Sequence, residues 1–365
     1  MTFILPLFIT IHIVLFQNIL FYAGIFVVVA SLIPLIRHDF WIFRVFEYPR
    51  LQKLTLNLLI LVLYALCFPV EQTIDYILII LLSLNLIYLC RQIFPFTVLA
   101  KKQIIQSSKP PGERNVQLLI ANVFQDNRKY AEYHQLIKNC NPDLVLMVET
   151  NQWWQDKMDS IGAKYPYQIK VPLENTYGML LYSKLKLVDG NVNYLVEDDI
   201  PSIETEVKLP SGELVKLFCL HPRPPVPQEN PHSTERDKEI LLVAEKAKKS
   251  KYPVIVIGDL NDVAWSYTTE LFSKISELLD PRKGRGFFNS FNAKYFFLRF
   301  PLDHVFCSAD FTLTSIQRMN SCGSDHFPMC INLQYDPKAI AEHDIPEADQ
   351  ADQELFKEKV NADTD

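Results

Sequence analysis

Hydrophobic positions along this chain follow two regimes. Up to about residue 95 they are continuous: residues 1–36, 55–70 and 74–90 are almost wholly apolar. Each run approaches or exceeds the roughly 17–25 residues a membrane-spanning helix needs, the middle one slightly short. At ~1.5 Å rise per residue the first run is too long for one upright helix in a ~30 Å core. Gln17 and Asn18 interrupt it, so the pattern predicts one span near residues 19–36 preceded by an embedded lead, with two short spans as the alternative. No Lys or Arg precedes the first run and two more runs follow, which argues against a cleaved signal peptide. Three such runs in succession predict about three transmembrane helices rather than buried core helices.

Beyond residue 95 the apolar positions become short and interleaved with polar ones. Residues 96–115 read as a linker, rich in Ser, Pro and charge from 103 onward. Short apolar runs then predict strands at 116–123, 144–149, 178–183, 203–209, 214–220, 254–257, 304–308 and 328–333. Helical spacing marks 128–140, 234–249 and 268–278, the first stopped by Asn141–Pro142. Several strands follow one another through short turns, which predicts a layered α/β sandwich over 116–335 rather than a simple wound parallel sheet. Residues 336–365 are acidic and poor in aromatics, and are expected to be disordered or loosely helical. The aromatic stretch 295–300 (YFFLRF) reads as a core strand, with a lip near the membrane as the alternative.

Charge refines this outline. The loop after the first run carries Arg37, Arg44, Arg50 and Lys53, the next loop has no basic residue, and Arg91, Lys101 and Lys102 follow the third run. Positive loops face the cytoplasm, so three spans place the C-terminal domain there. Residues 101–335 hold equal numbers of basic and acidic side chains. That balance lacks the basic excess of a non-specific nucleic-acid binder. The seven cysteines show no paired spacing, consistent with a reducing compartment and no zinc motif.

The chemistry is carried where apolar strands end. LLIAN ends at Asn122, LVLMVE at Glu149, LVKLFCLH at His221 and VIVIGDLN at Asp259 and Asn261, and a later pair is Asp303 with Asp325–His326. A buried strand that delivers a polar group at its end presents that group to a cleft. Phosphoester hydrolysis needs neutralised non-bridging oxygens, an activated water and a stabilised leaving oxygen. Glu149 suits a hard divalent cation; Asn122 can set its amide oxygen beside that cation or its nitrogen on a substrate phosphate oxygen, and Asp325 can contribute through water. Asp259 can hold water and Asn261 a phosphate oxygen. His326 is an acid/base or hydrogen-bond donor whose tautomer Asp303 can fix, and His221 is a second imidazole for phosphate. Taken singly, each has a bland reading as a turn, a solvated strand end or a packed histidine. Five coincidences together are improbable. Arg282 and Arg285, with Lys283 in DPRKGRG, add cations for an anionic substrate, balanced by the reading of an idle basic loop. Arg236 reads as a helix-face charge.

Asn122, LVLMVE, LHPRPP, GDLND, Asp303–His304 and GSDHFP together resemble the endonuclease/exonuclease/phosphatase superfamily, in the family's order. NDVAWS, DPRKGRGF and the apolar N-terminal region are similar to a bacterial membrane-anchored branch. The resemblance implies a four-layer α/β/β/α sandwich and a divalent metal, usually magnesium, with manganese as the alternative. It implies Glu149 as metal carboxylate with Asn122 its neighbour, Asp259 orienting water, Asn261 on phosphate, His326 paired with Asp303, and His221 on phosphate. No carboxylate partner for His221 is evident in the sequence. The expected function is a membrane-anchored, magnesium-dependent phosphoesterase acting on nucleic acid, phospholipid or a small phosphate ester. By resemblance it resides in a bacterial inner membrane, and no protein partner is expected. A non-catalytic membrane adaptor is the alternative.

Overall fold

The apolar runs of the first regime form helices. In the computed structural model, which describes residues 4–364, the chain divides into two units, Met1–Pro95 and Phe96–Asp365. The first unit holds α1 (Ile4–Leu32), the single turn α2 (Trp41–Arg44), α3 (Arg50–Cys67) and α4 (Thr73–Ile93). Three segments, Ile11–Ile36, Arg50–Cys67 and Thr73–Phe96, are long and apolar enough to cross a membrane. Gln17 and Asn18 do not interrupt α1, because a helix satisfies its backbone internally whatever the side chains; Gln17 Nε2 donates instead to the Tyr64 hydroxyl at 3.4 Å. Between the helices, Asn85 Nδ2 donates to Asn57 Oδ1 (2.9 Å) and Ser31 Oγ (3.2 Å), and Asn57 Nδ2 to the Leu82 carbonyl (2.9 Å). Such interhelical bonds contribute on the order of 1 kcal/mol each in lipid.

The second unit is built from β1 (Asn115–Asn122), α5 (Tyr130–Cys140), β2 (Leu144–Val148), α6 (Gln152–Met158), β3 (Tyr167–Val171), β4 (Met179–Ser183), β5 (Lys186–Asn193), β6 (Ser202–Lys208) and β7 (Leu214–Leu220). Then come α7 (Thr234–Lys248), β8 (Val254–Asp259), α8 (Tyr267–Ser276), β9 (Asp303–Cys307), β10 (Phe311–Arg318), β11 (Met329–Tyr335) and α9 (Gln350–Val360). One sheet runs β10-β11-β1-β2-β4-β3 and the other β5-β6-β7-β8-β9. Each sheet has a single parallel pair at its heart, β1 with β2 and β7 with β8, each linked by a crossover helix. The other pairings are antiparallel.

Alternation along the strands explains the layers. Leu118, Ile120, Leu144 and Leu146 pack with Leu217, Cys219, Ile255 and Ile257 in the inner core between the sheets. Their neighbours Leu119, Val145 and Met147 turn outward onto Tyr133, Ile137 and Trp154 of α5 and α6. Phe218, Val254 and Val256 turn onto Ile240, Leu241, Leu271 and Phe272 of α7 and α8. The result is the expected four-layer α/β/β/α sandwich.

Three segments differ from their sequence expectations. The stretch after Asp336 is folded: a 3-10 turn, Pro337–Glu342, leads to α9, whose Asp349–Asp352 capping box closes its first turn. Leu355, Phe356 and Val360 of α9 pack against the α7–α8 core, so a sequence poor in apolar residues still builds one amphipathic face. Part of the expected linker also belongs to the sandwich: Ile104 lies in the inner core, Gln106 bridges to Leu313 of β10, and the Leu313 amide donates to the Ile105 carbonyl (3.0 Å). Finally, 295–300 is not a core strand. Tyr295, Phe296, Phe297 and Leu298 are 62, 70, 79 and 52% exposed.

Candidate active site

The parallel pairs place the ends of β1, β2, β7 and β8 where their polar end residues can meet, the usual location of sites in α/β sheets. Two glycines allow the approach. A Cβ on Gly258 (φ 150°) would lie 1.9 Å from the Leu220 carbonyl oxygen, and one on Gly178 would lie 1.8 Å from that of Thr150. Glycine at these points lets the end of β8 close on β7, and β4 close on the turn after β2. Glu149 (φ 57°) and Asn261 (φ 50°) occupy the left-handed region, a local strain typical of functional turns.

One line of hydrogen bonds and an ion-pair contact crosses both sheets. Asn122 Nδ2 donates to Glu149 Oε1 (2.7 Å) and to Asp259 Oδ2 (3.0 Å). Asp259 Oδ2 lies 3.5 Å from His326 Nε2, and His326 Nδ1 is bonded to Asp303 Oδ2 at 2.8 Å. Asp259 Oδ1 accepts from the Asn261 amide (2.9 Å), which fixes the Gly-Asp-Leu-Asn turn. Ser290 Oγ accepts from the Asp303 amide (2.9 Å), and the Phe291 ring lies 5.0 Å from that of His326. Asn122, Asp259, Asp303 and His326 are all buried.

This environment sets the protonation states. Burial alone would depress the His326 imidazole, but the charges of Asp259 and Asp303, with the Asp303 hydrogen bond, outweigh it and raise its pKa to about 10. Burial pushes Asp259 up, against the opposing pull of His326. Burial likewise raises Glu149 to about 7, against the Asn122 hydrogen bond. His221 is lowered to about 4 by burial, with Asp259 pulling the other way, and is a neutral imidazole near pH 7. Its Nδ1 is buried with no hydrogen-bond partner among the described residues, and its ring lies 5.4 Å from Tyr177.

A divalent cation fits the Glu149 side of this line. Glu149 is a hard carboxylate whose Oε2 has no hydrogen-bond partner among the described residues, and Asp325 is near enough to raise its pKa. Asp259, Asp303 and His326 also bring ligand-type atoms within 4.8 Å of one another. In that trio both ring nitrogens of His326 already face carboxylate oxygens, Nδ1 at 2.8 Å from Asp303 Oδ2 and Nε2 at 3.5 Å from Asp259 Oδ2, whereas Glu149 keeps a free oxygen.

Several assignments change. Asn122 Oδ1 accepts from the Phe124 amide (3.0 Å), so Asn122 ties Glu149 to Asp259 through its nitrogen and turns its oxygen away from Glu149. Asn261 Nδ2 donates to the Pro222 carbonyl (2.9 Å), which joins the GDLND and HPRPP turns. Arg282 is not a substrate cation: it is 2% exposed, paired with Asp280 at 2.8 Å, and donates to His304 Nδ1 at 2.7 Å. Arg285 donates to the carbonyls of Pro281 and Ile104, which withdraws it from the cleft.

Sequence reasoning missed the buttress behind the site. His304 Nε2 donates to the Asp262 carbonyl (2.8 Å), so Asp280, Arg282 and His304 connect the DPRKGRG loop to the GDLND turn. Arg236, expected on a helix face, is buried; it donates to the Asn261 carbonyl (2.8 Å) and pairs with Asp237 (2.8 Å) and Asp262 (3.2 Å). The only sequence signal for these two cations is their lying near Asp280 and Asp237 in the chain.

A model described as "Endonuclease/Exonuclease/phosphatase family" matches residues 119–326. No curated protein sequence matches the chain. Among solved structures, D. rerio TDP2 complexed with single-strand DNA product is similar at 16% identity and TM-score 0.51, covering 60% of this chain and 99% of that one. Humanized D. rerio TDP2 gives 15% identity, TM-score 0.51 and the same coverage. An endonuclease/exonuclease/phosphatase family protein from Bacteroides thetaiotaomicron gives 18% identity and TM-score 0.51, covering 62% of this chain and all of that one. At these identities the likeness is one of fold, while the family model spans more than half the chain. Motifs, sandwich and sequence match agree: the chain belongs to the endonuclease/exonuclease/phosphatase family, the metal-dependent hydrolases of phosphoester bonds.

Proposed function

We propose that this protein is a membrane-anchored, magnesium-dependent phosphoesterase in which water attacks phosphorus directly, with no covalent enzyme intermediate. The supporting observation is the line Glu149–Asn122–Asp259–His326–Asp303, assembled from five separated segments. Glu149, with Asp325, would hold the cation, which when bound supplies charge neutralisation at the phosphoryl oxygens. Asp259 is the base: its carboxylate orients water and takes its proton. His326, held as imidazolium by Asp303, donates to a non-bridging oxygen, and neutral His221 adds a second donor. Asn261 fixes the turn that aims Asp259. The three apolar helices support anchoring, and the basic loops support a cytoplasmic catalytic domain.

The test is a phosphoester panel of nucleic acid, phospholipid and small esters on the purified full chain, with magnesium or with EDTA. The expected result is metal-dependent hydrolysis that Asp259→Asn abolishes. Activity unaffected by Asp259→Asn would refute the assignment.

A further inference from the structure

The aromatic stretch that failed to enter the core lies on the rim of the site. Phe291 and Phe300 pair as a short antiparallel bridge, the Asn292 amide donates to the Leu298 carbonyl (3.0 Å), and the Leu298 amide to that of Tyr295 (3.2 Å). These contacts make 291–300 a small hairpin. Its base is part of the catalytic wall: Phe291 bridges to His326, and the Ala293 amide donates to the Asp325 carbonyl (2.6 Å). Its tip, Tyr295–Phe296–Phe297–Leu298, is more than half exposed at every residue.

Cations surround the base of this tip. The Arg299 guanidinium lies 5.0 Å from the rings of both Phe296 and Phe327, Arg318 lies 4.3 Å from Phe327, and Lys294 lies 4.4 Å from Phe124. Aromatic and Leu side chains at a tip, with Lys and Arg behind them, match the depth profile of a bilayer interface, with acyl chains below phosphates. In the chain, the catalytic unit begins at Phe96, directly after the unit that carries the three spanning-length helices.

We propose that the 291–300 hairpin enters the lipid leaflet and that the substrate is a phosphoester of a membrane lipid, taken from the bilayer at the His326 side of the cleft. This inference rests on the phosphoesterase reading above and names its substrate class. In the reaction, the oxygen of water bonds to phosphorus as the P–O ester bond breaks; one water proton passes to Asp259 and an equivalent proton ends on the departing ester oxygen, giving a phosphate and an alcohol. A leaflet favours this occupant over a nucleic acid because the tip pairs aromatic rings with an aliphatic Leu298, and the catalytic region has no basic excess for a polyanion.

The test uses the full chain reconstituted in phosphatidylglycerol-containing vesicles. Phe296→Ser with Phe297→Ser should lower hydrolysis of a bilayer phospholipid by about tenfold or more, while turnover of soluble bis(p-nitrophenyl) phosphate stays within about twofold. Equal losses on both substrates, or no loss on the lipid, would overturn the proposal. So would a selective loss on single-stranded DNA, which would make the rings a base-stacking platform. An arm independent of catalysis follows Phe297→Trp emission in vesicles with lipids brominated along the acyl chain, against the wild-type background of 4 tryptophans. Added quenching supports insertion, and none refutes it. An inactive wild type with added quenching would sink the enzymatic reading while leaving the membrane contact intact.

Discussion

His326 is the residue on which the electrostatics of the site turn. Its pKa rises from the ordinary 6.5 to about 10 because the carboxylates around it outweigh the cost of burial. Raised by folding, it contributes stability that is fully present below pH 6.5 and is lost as pH rises through about 10. The melting temperature of the wild type should therefore exceed that of His326→Gln by a margin that shrinks between pH 6.5 and 10, measured by thermal unfolding in detergent. A constant margin across that range would show that the imidazolium is not the stabilised form. Glu149 calls for a different measurement. Glu149→Gln keeps the shape and the Asn122 contact but removes the charge, so turnover should fall by about a thousandfold and no longer respond to magnesium, with the melting temperature in EDTA little changed. Glu149 was legible because it ends an apolar strand, and His326 because it stands in the Ser-Asp-His run that precedes the last one. Arg236, Arg282 and His304 were not, because what makes them important is a partner on another loop, and single-sequence spacing does not carry that information.

At the level of elements, the buried Asp280–Arg282–His304 chain does the positioning that the sequence suggested was substrate binding. Truncating Arg282 leaves Asp280, itself 1% exposed, as an uncompensated buried carboxylate. Arg282→Ala should cost about 3–5 kcal/mol of stability, read as a large fall in melting temperature. A small stability change with a selective rise in KM would restore the substrate-cation reading. Gly258→Ala tests the closure of β7 on β8: with 1.9 Å to the Leu220 oxygen, the strands must separate. Activity should then fall even where protein accumulates, since His221 and Asp259 sit at those two strand ends. The central strands β1, β2, β7 and β8 were readable because nearly every position is buried and apolar. The edge strands β3 and β5 escaped notice because their positions are mostly half-buried or exposed, so they lack a strong apolar period.

For the whole molecule, the division of the chain at Pro95 was visible as a change in hydrophobic regime, but the edges of the catalytic unit were not. Acidic composition hid α9, whose packing depends on Leu355, Phe356 and Val360 and on Lys359 donating to the Tyr267 hydroxyl (2.9 Å). Truncation after Tyr335 should consequently lower the melting temperature by several degrees, where a disordered tail would be removed without effect. Orientation is the property that composition alone argues. Arg37 and Arg44 lie between the first and second spanning-length segments, Arg50 and Lys53 in the first turn of the second, and no basic residue between the second and third; the positive-inside rule acts on that asymmetry during insertion. A reporter fused after Asp365 should fluoresce if it matures in the cytoplasm and stay inactive if it requires export. Replacing Arg37, Arg44, Arg50 and Lys53 with neutral residues while introducing Glu71→Lys and Gln72→Lys should reverse part of the population. If the exported reporter is active on the unaltered chain, the catalytic domain faces away from the cytoplasm, and the leaflet within reach of its hairpin is the outer one.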